Sequence, residues 1–323
     1  MHKIRVGVLR GGPSSEYDVS LKTGATVLKH LSNDRYHPHD ILIDRDGLWH
    51  MAGIQVDPSQ ALERVDVVFN ALHGHYGEDG KVQHILELHG IPFTGANSFA
   101  SALGMNKELS KNVYKKSGLK TPQSRLVFKD HDIAQERMEI FKLFPLPVVV
   151  KPTTAGSSIG VAIVKDFTSF SEALEEAFKH GDTVLVEEFI SGKEATCGVI
   201  DHFREQTHYA LPPIEVRPPK GKFFDFSSKY GEHHADKVIP GNFTDEEKKE
   251  IERLAIAAHQ ALGLRHYSRS DFIVHPKRGI FILETNTLPG LTEDSLVPTA
   301  LEFVGASLPH FIDHLIELAI SGK

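Results

Sequence analysis

Two carboxylates on adjacent strands of a predicted β-hairpin constrain the fold more than any other sequence feature. Residues 270–274 and 280–284 are short, mainly apolar runs, and the Pro-Lys-Arg-Gly segment at 276–279 is typical of a turn. The register set by this turn places Asp271 directly opposite Glu284. Opposed carboxylates about 5 Å apart repel each other unless a cation lies between them. The sequence therefore predicts a cation-binding face on this hairpin.

The same register places Arg269 opposite Asn286, on the face that carries both carboxylates. The oxygen-only set of Asp, Glu and Asn suits Mg²⁺, which takes one or two carboxylates and leaves positions for phosphate and water. A surface hairpin with scattered charges is the alternative interpretation. The opposite face is expected to pack into a core and consists of Phe272, Val274, Phe281 and Leu283.

The composition is that of an ordinary globular protein with two or three domains. The chain has 323 residues, 40% hydrophobic and 24% charged, and this length exceeds what one compact core supports. A formal net charge of −7 favours neither a nucleic-acid nor an anionic-membrane partner. The single Cys197 cannot form an internal disulfide, and residues 1–9 lack the pattern of a signal peptide. A cytoplasmic location is therefore expected.

The 20 histidines are scattered along the chain. Close pairs occur at positions 37/39, 73/75 and 233/234, and none has the cysteine partners or the spacing of a zinc site. The sequence therefore does not predict structural zinc.

The first third of the chain alternates strand and helix signals. Strands are predicted at residues 4–9, 40–43 and 65–71, and helices at 20–31 and 82–90. This order is typical of a doubly wound, parallel α/β sheet. The loop at 10–15 leads from the first strand towards the first helix, where such sheets bind ligands, but it lacks G-x-G-x-x-G and predicts no dinucleotide site.

A loop of small residues joins two predicted strands of the middle third, after helical sequence at 97–117. Residues 153–160, Thr-Thr-Ala-Gly-Ser-Ser-Ile-Gly, separate apolar runs at 147–150 and 161–164. Backbone N–H groups of such a loop can cover a phosphate, and Lys151 at its mouth can supply a positive charge. A plain hairpin loop is the other interpretation. No Gly-Lys-Ser/Thr follows, so it is not a Walker A loop.

The last third combines strands, an irregular stretch and helices. Strands are predicted at 184–188 and 194–199, and residues 225–242 are polar and irregular, which inside a compact protein usually indicates function. A Thr-Asp-Glu-Glu capping box opens an amphipathic helix over residues 244–262, and another helix is predicted at 302–320.

Several motifs, in this order, resemble those of the D-alanine–D-alanine ligases. They are GGPSSEYDVSL at 11–21, NALHGHYGEDG at 70–80, and residues 101–107, 151–160, 187–194, 223–230, 269–271 and 284–298. The resemblance implies an ATP-grasp fold, mixing α/β and α+β parts. Its domains would be an N-terminal α/β domain (1–96), a central domain with the phosphate loop (97–186) and a C-terminal domain with the metal hairpin and lid loop (187–323). ATP would lie between the last two.

The resemblance implies ATP-dependent ligation of two D-alanines for peptidoglycan precursor synthesis. ATP phosphorylates the carboxylate of the first D-alanine, and the amine of the second attacks the acyl phosphate, giving dipeptide, ADP and phosphate. Asp271, Glu284 and Asn286 would hold two Mg²⁺ ions, with Mn²⁺ as a substitute. The residues implied to contact ATP are Lys107, Lys151, Ser158, Glu187, Glu188, Ile190, Glu194, Lys229 and Phe272.

The implied catalytic residues lie at the substrate side of the site. Glu16 would bind the ammonium of the first D-alanine, with Ser157 and Tyr230 as hydrogen-bonding partners that close a lid. Closure protects an acyl phosphate from water. Arg269 and the backbone N–H of Gly290 would form the oxyanion hole, because a guanidinium stays charged and donates in pairs.

Three further residues are implied to line the substrate pocket. His73 would lie in its wall, and Ser295 with the backbone of Leu296 would hold the carboxylate of the second substrate. The expected partners are ATP and D-alanine, with no nucleic acid and no membrane, and the resemblance implies a homodimer.

Three alternative functions are possible, and the first follows from the irregular segment at 225–242. His233 and His234 lie where some relatives that make D-alanine–D-lactate carry a histidine, since an imidazolium repels a D-alanine ammonium. Tyr230 favours the dipeptide, because lactate-using types usually lack it. Another D-amino acid is a second alternative. A non-catalytic nucleotide-binding module is a third, against which the retained set of charged site residues argues.

Overall fold

The computed structural model describes residues 3–154, 156, 159–217 and 236–322. Three β-sheets, with helices packed on them, account for most of this part of the chain. The sheets have five, six and four strands.

The N-terminal sheet has the strand order β4-β3-β2-β1-β5. Strand β1 is parallel to β2 and β5, which confirms the predicted parallel sheet, whereas β3 and β4 add a short antiparallel edge that the sequence analysis did not predict. Its elements are β1 (Ile4–Gly11), α1 (Tyr17–His30), β2 (Tyr36–Ile43), β3 (Trp49–Met51), β4 (Ile54–Val56), α2 (Pro58–Leu62), β5 (Val67–Asn70) and α3 (Lys81–Leu88).

Two helices, α4 (Ser98–Met105) and α5 (Lys107–Lys116), lead into a four-stranded antiparallel sheet of order β6-β9-β7-β8. Asn106 caps α5 by accepting from the amides of Glu108 and Leu109. The elements of this part are β6 (Ser124–Phe128), α6 (Ile133–Leu143), β7 (Val148–Pro152), β8 (Ala162–Val164), α7 (Ser169–Phe178) and β9 (Thr183–Glu188).

The six-stranded sheet has the order β13-β12-β10-β14-β15, with β11 paired to β10. The predicted capping box is present, because Thr244 accepts from the Glu247 amide and the Glu247 carboxylate accepts from the Thr244 amide. The elements are β10 (Lys193–Phe203), β11 (Gln206–Ala210), β12 (Ile214–Arg217), β13 (Asp236–Val238), α8 (Asp245–Ala261), β14 (Tyr267–His275) and β15 (Gly279–Asn286).

The chain continues with two helices, α9 (Leu296–Phe303) and α10 (Leu308–Ser321), where one helix over 302–320 was predicted. Phe311 and Leu315 of α10 share a core with Val6 and Phe69 of the N-terminal sheet. Within the described part of the chain no single helix is long and apolar enough to cross a membrane; by length and composition alone, the pair α9 and α10, bent by 108°, would pass together.

The hairpin of β14 and β15 has the predicted pairing, Asp271 with Glu284 and Arg269 with Asn286. A β-bulge between Asp271 and Phe272 then shifts the register, so that Phe272 pairs with Ile282. The predicted core face was therefore partly wrong. Phe272, Val274 and Ile282 pack with α8, whereas Phe281 and Leu283 cluster with Ile190 and Ile273.

Candidate active site

A cleft of about 930 Å³, counting space open to solvent, lies between the four-stranded and six-stranded sheets. Strands β7 and β9 form one wall, and β10, β14 and β15 form the other. The predicted residues that line the cleft are Lys107, Lys151, Glu187, Glu188, Ile190, Glu194, Asp271, Phe272, Glu284 and Leu296.

The two opposed carboxylates of the hairpin are each neutralised by a cationic side chain. Arg269 donates from Nε and Nη2 to the two oxygens of Asp271, at 3.0 Å each, and Thr196 donates to Asp271 Oδ1 at 2.6 Å. Lys107 Nζ lies 3.3 Å from Glu284 Oε2. The repulsion expected from the sequence is thus offset within the protein, by one cation for each carboxylate.

Asn286 completes the oxygen-donor face at the end of the same strand pair. Its Oδ1 accepts from the Leu288 amide at 2.9 Å, which fixes the side chain and leaves the second lone pair of the carbonyl oxygen. Two carboxylates and an amide oxygen are ligands that fit a hard cation such as Mg²⁺.

Three buried charged residues interact beside strand β7, which leads into the glycine-rich loop. Both carboxylate oxygens of Glu187 are engaged, by Lys111 Nζ at 2.5 Å and by Lys151 Nζ at 2.8 Å, and all three residues are buried. Burial lowers the pKa of Lys111 to about 8, although the negative charge of Glu187 acts to raise it. Burial alone would raise the pKa of Glu187, but the two ammonium groups outweigh it and the pKa is lowered. Glu187 therefore holds Lys151 in the cleft.

The apolar end of the cleft is built by the bulged hairpin. Ile190, Ile273 and Leu283 line it, and Phe281 packs behind them. The adjoining Glu188 donates its backbone N–H to the Gln123 carbonyl at 3.0 Å, and its carboxylate accepts from Arg278 at 2.8 Å. An apolar pocket wall of this kind, with polar groups at its edge, is suited to an aromatic base.

Glu16 lies against the glycine-rich loop, far from it in sequence. A β-carbon added to Gly156 would lie 2.9 Å from Glu16 Oε2, and one added to Gly74, whose φ is +67°, would lie 2.7 Å from the same oxygen. Glu16 is buried, and its amide donates to Ser14 Oγ. Only residues without a side chain allow both loops to approach this carboxylate so closely.

Both ring nitrogens of His73 have hydrogen-bond partners. Nε2 lies 2.9 Å from Thr23 Oγ1 and Nδ1 lies 3.3 Å from Glu78 Oε1, in a buried position. This fixes the ring beside the loop that contains Gly74.

Ser295 is the residue that precedes α9, and its Oγ lies 2.7 Å from Thr292 Oγ1. A β-carbon on Gly290 would lie 3.1 Å from the same Oγ. Leu296, the first residue of α9, lines the cleft. Gly290 and Ser295 thus lie close together, next to Leu296 at the edge of the cleft.

Ser157, Ser158, Lys229, Tyr230, His233 and His234 lie outside the described residues. Lys111 and Thr196 also contact site residues and were not predicted from the sequence. Lys111 lies one helical turn after Lys107 on α5, and this spacing is a signal that both ammonium groups share one face. Thr196 had no comparable signal, because its bond to Asp271 depends on the pairing of β10 with β14.

Comparison with known proteins decides the family. A family model described as "D-ala D-ala ligase C-terminus" matches residues 113–317, and one described as "D-ala D-ala ligase N-terminus" matches residues 5–63 and 50–96. The chain belongs to the D-alanine–D-alanine ligase family. This confirms the family and the ATP-grasp fold expected from the sequence.

Similar proteins match the ligase over nearly its whole length. The D-alanine–D-alanine ligases of Geotalea uraniireducens and Pelotomaculum thermopropionicum are 39% and 38% identical, with 98% of this chain covered and 95% and 97% of theirs. Among solved structures, the VanG D-Ala:D-Ser ligase from Enterococcus faecalis has a TM-score of 0.86 at 29% identity, covering 98% of this chain and 100% of that one. The Bacillus anthracis D-alanine–D-alanine ligase complexed with ATP has a TM-score of 0.81 at 29% identity, covering 99% and 98%.

Proposed function

We propose that this ligase joins two D-alanines in the synthesis of peptidoglycan precursors. The γ-phosphoryl group of ATP is transferred to the carboxylate of the first D-alanine, and the amine of the second D-alanine then displaces phosphate. The observation that carries the proposal is the facing pair of walls. One bears Lys151, fixed by Glu187, and the other bears Asp271, Glu284 and Asn286. Positive charge and oxygen donors on facing walls support binding of a nucleotide together with a metal ion.

Asp271, Glu284 and Asn286 are the residues that would hold Mg²⁺. When bound, the ion neutralises charge on the transferring phosphoryl group. Arg269 and Thr196 align Asp271, and Lys107 lies beside Glu284 on the same face. Lys107 and Lys151 would contact the ATP phosphates.

The base of ATP fits the apolar slot of Ile190, Ile273 and Leu283. The backbone carbonyl of Glu188 and the amide of Ile190 are its proposed edge contacts, and Glu194 on β10 is placed for the ribose. Ser158 and Lys229 are proposed to contact the phosphates.

At the substrate end, Glu16 binds the ammonium of the first D-alanine beside His73. Arg269 and the Gly290 amide stabilise the oxyanion that forms when the second amine attacks, because fixed donors at developing charge lower the barrier most. Ser295 and the Leu296 amide hold the second carboxylate. Ser157 and Tyr230 close the site over Glu16, which excludes water from the acyl phosphate.

The domain boundaries at residues 96/97 and 186/187 and assembly as a homodimer are further parts of the proposal. Limited proteolysis and light scattering test them separately.

Product analysis tests the choice of second substrate. The ligase is incubated with ATP, Mg²⁺ and equal concentrations of D-alanine, D-serine and D-lactate, between about pH 6 and 8, the range in which histidine titrates. D-alanyl-D-alanine is the expected main product throughout. A majority of depsipeptide, or of the mixed D-alanyl-D-serine, at neutral pH would contradict it.

A further inference from the structure

We propose that Asp201, His208 and His259 form a second metal site, for a transition-metal ion such as Zn²⁺, that is separate from the nucleotide cleft. The three ligand atoms come from β10, β11 and α8 and lie within 4.8 Å of one another. The inference is independent of the proposed function, because none of the three residues belongs to the cleft.

The cluster lies on the opposite face of the six-stranded sheet. Thr196 and Asp201 are both on β10, but Thr196 contacts Asp271 at the cleft, whereas Asp201 contacts His259 of α8. The two residues are five positions apart on the strand, a rise of about 16 Å. An ion bound at Asp201 is therefore distinct from one bound at the hairpin.

The donor atoms are spaced for a small ion. His208 Nδ1 lies 2.8 Å and His259 Nε2 3.2 Å from Asp201 Oδ1. Tetrahedral zinc with bonds of about 2.0–2.1 Å sets neighbouring ligand atoms about 3.3 Å apart. The His259 Nε2 atom is already close to that spacing from Asp201 Oδ1, and all three donor atoms lie within 4.8 Å of one another.

Surrounding groups already orient the ligands. His259 Nδ1 lies 2.8 Å from Ser268 Oγ, and the His266 amide donates to Asp201 Oδ2 at 2.6 Å. Such outer hydrogen bonds fix the ring nitrogen that faces the metal and are typical of zinc sites. His314 Nε2 also lies 2.7 Å from the Asp201 carbonyl oxygen, which holds the backbone at this point.

Burial leaves one side of the cluster accessible. Asp201 and His259 are buried, whereas the His208 side chain is 24% exposed. An ion can therefore enter beside His208 and keep a water molecule as its fourth ligand. Bound there, it would tie the hairpin of β10 and β11 to α8.

The chemistry favours a borderline ion over Mg²⁺. Two imidazoles and one carboxylate are nitrogen-rich donors that suit Zn²⁺ or Co²⁺, whereas the oxygen set of the hairpin suits Mg²⁺. The two sites are thus distinguishable by the ion they prefer.

Metal titration of the full chain tests the site. Metal is first removed from the protein with a chelator. The protein is then titrated with Zn²⁺ and, in a separate experiment, with Co²⁺. Excess Mg²⁺ is present in both titrations to occupy the hairpin site. We expect one tight Zn²⁺ equivalent, a tetrahedral Co²⁺ absorption spectrum and a Tm that rises with Zn²⁺ concentration. His208→Ala should weaken Zn²⁺ binding about 100-fold or more, beyond the usual cost of losing an outer hydrogen bond.

Two variants complete the test. Asp201→Asn keeps the shape of the side chain, removes its charge and should also weaken Zn²⁺ binding. His50→Ala is the matched control, because His50 pairs with Asp44 at 2.8 Å outside the cluster, and it should bind Zn²⁺ like the wild type. Equal Zn²⁺ affinity in all four proteins, or no tight equivalent in the wild type, would show that the cluster is only hydrogen bonded and overturn the proposal.

Discussion

Arg269 binds Asp271 with two hydrogen bonds of 3.0 Å, although both residues project from the same strand, two positions apart. The pair joins the two chemical tasks proposed for the site, oxyanion stabilisation and metal binding. Asp271 would hold the ion, and both of its carboxylate oxygens also accept from the Arg269 guanidinium. Asp271, a proposed Mg²⁺ ligand, therefore also holds Arg269 in place.

Arg269→Ala should lower turnover by about 10² or more, the usual cost of losing an oxyanion donor. Because the substitution releases Asp271, the Mg²⁺ concentration needed for half-maximal rate should stay the same or fall. Asp271→Asn should instead raise that concentration. Steady-state kinetics against Mg²⁺ measure both effects, with Arg253→Ala, an exposed arginine paired with Glu250, as the control. Equal losses of ATP affinity in the two site variants would contradict separate roles.

Lys111→Met should lower the free energy of unfolding by about 3 kcal/mol, because it leaves part of the Glu187 charge buried without its partner. Lys115→Met changes an exposed lysine on the same helix and should have little effect. Chemical denaturation of both variants gives the comparison. An unfolding free energy that is unchanged in Lys111→Met would mean that Lys151 alone neutralises Glu187.

The KM for ATP should rise as pH increases through about 8. The pKa of Lys111 is lowered by burial to about 8, so this lysine loses its proton there, well below the range of ordinary lysines. With Lys111 neutral, Lys151 alone balances Glu187, so the net positive charge that the three residues offer the ATP phosphates is lost. Lys111→Arg, which stays protonated, should abolish the rise. A rise that persists in this variant would assign it to another group.

Gly156→Ala should impair use of the first D-alanine, because the new β-carbon would lie 2.9 Å from Glu16 Oε2. A shift of this carboxylate by a fraction of an ångström should lower kcat/KM for D-alanine about tenfold or more. Gly181→Ala is the control, since its β-carbon would meet Thr154 Oγ1 at an ordinary 3.9 Å. Identical kinetics in both variants would exclude a functional contact between Gly156 and Glu16.

How much of this site the sequence predicted depends on the range of the interactions. The pairing of Asp271 with Glu284 follows from a turn and a two-residue period, both local properties. The bulge that moves Phe281 and Leu283 to the other face is set by packing against Ile190 and Ile273, which the hairpin alone does not reveal.

Contacts between residues that are far apart in the sequence could not be predicted. Lys111 meets Glu187, and His259 meets Asp201, only because separate strands and helices bring them together. For that reason pairwise spacing of the histidines could not reveal the Asp201 cluster. The capping box at Thr244, by contrast, depends on four consecutive residues and was predicted correctly.

Phosphate release from ATP shows directly whether the cleft supports D-alanine-dependent ligation. The ligase is assayed with and without D-alanine and with and without Mg²⁺, and dipeptide is quantified in the same samples. The account predicts that release requires both additions and that one phosphate appears for each D-alanyl-D-alanine formed. Release that does not depend on D-alanine, or no release under any of these conditions, would contradict it.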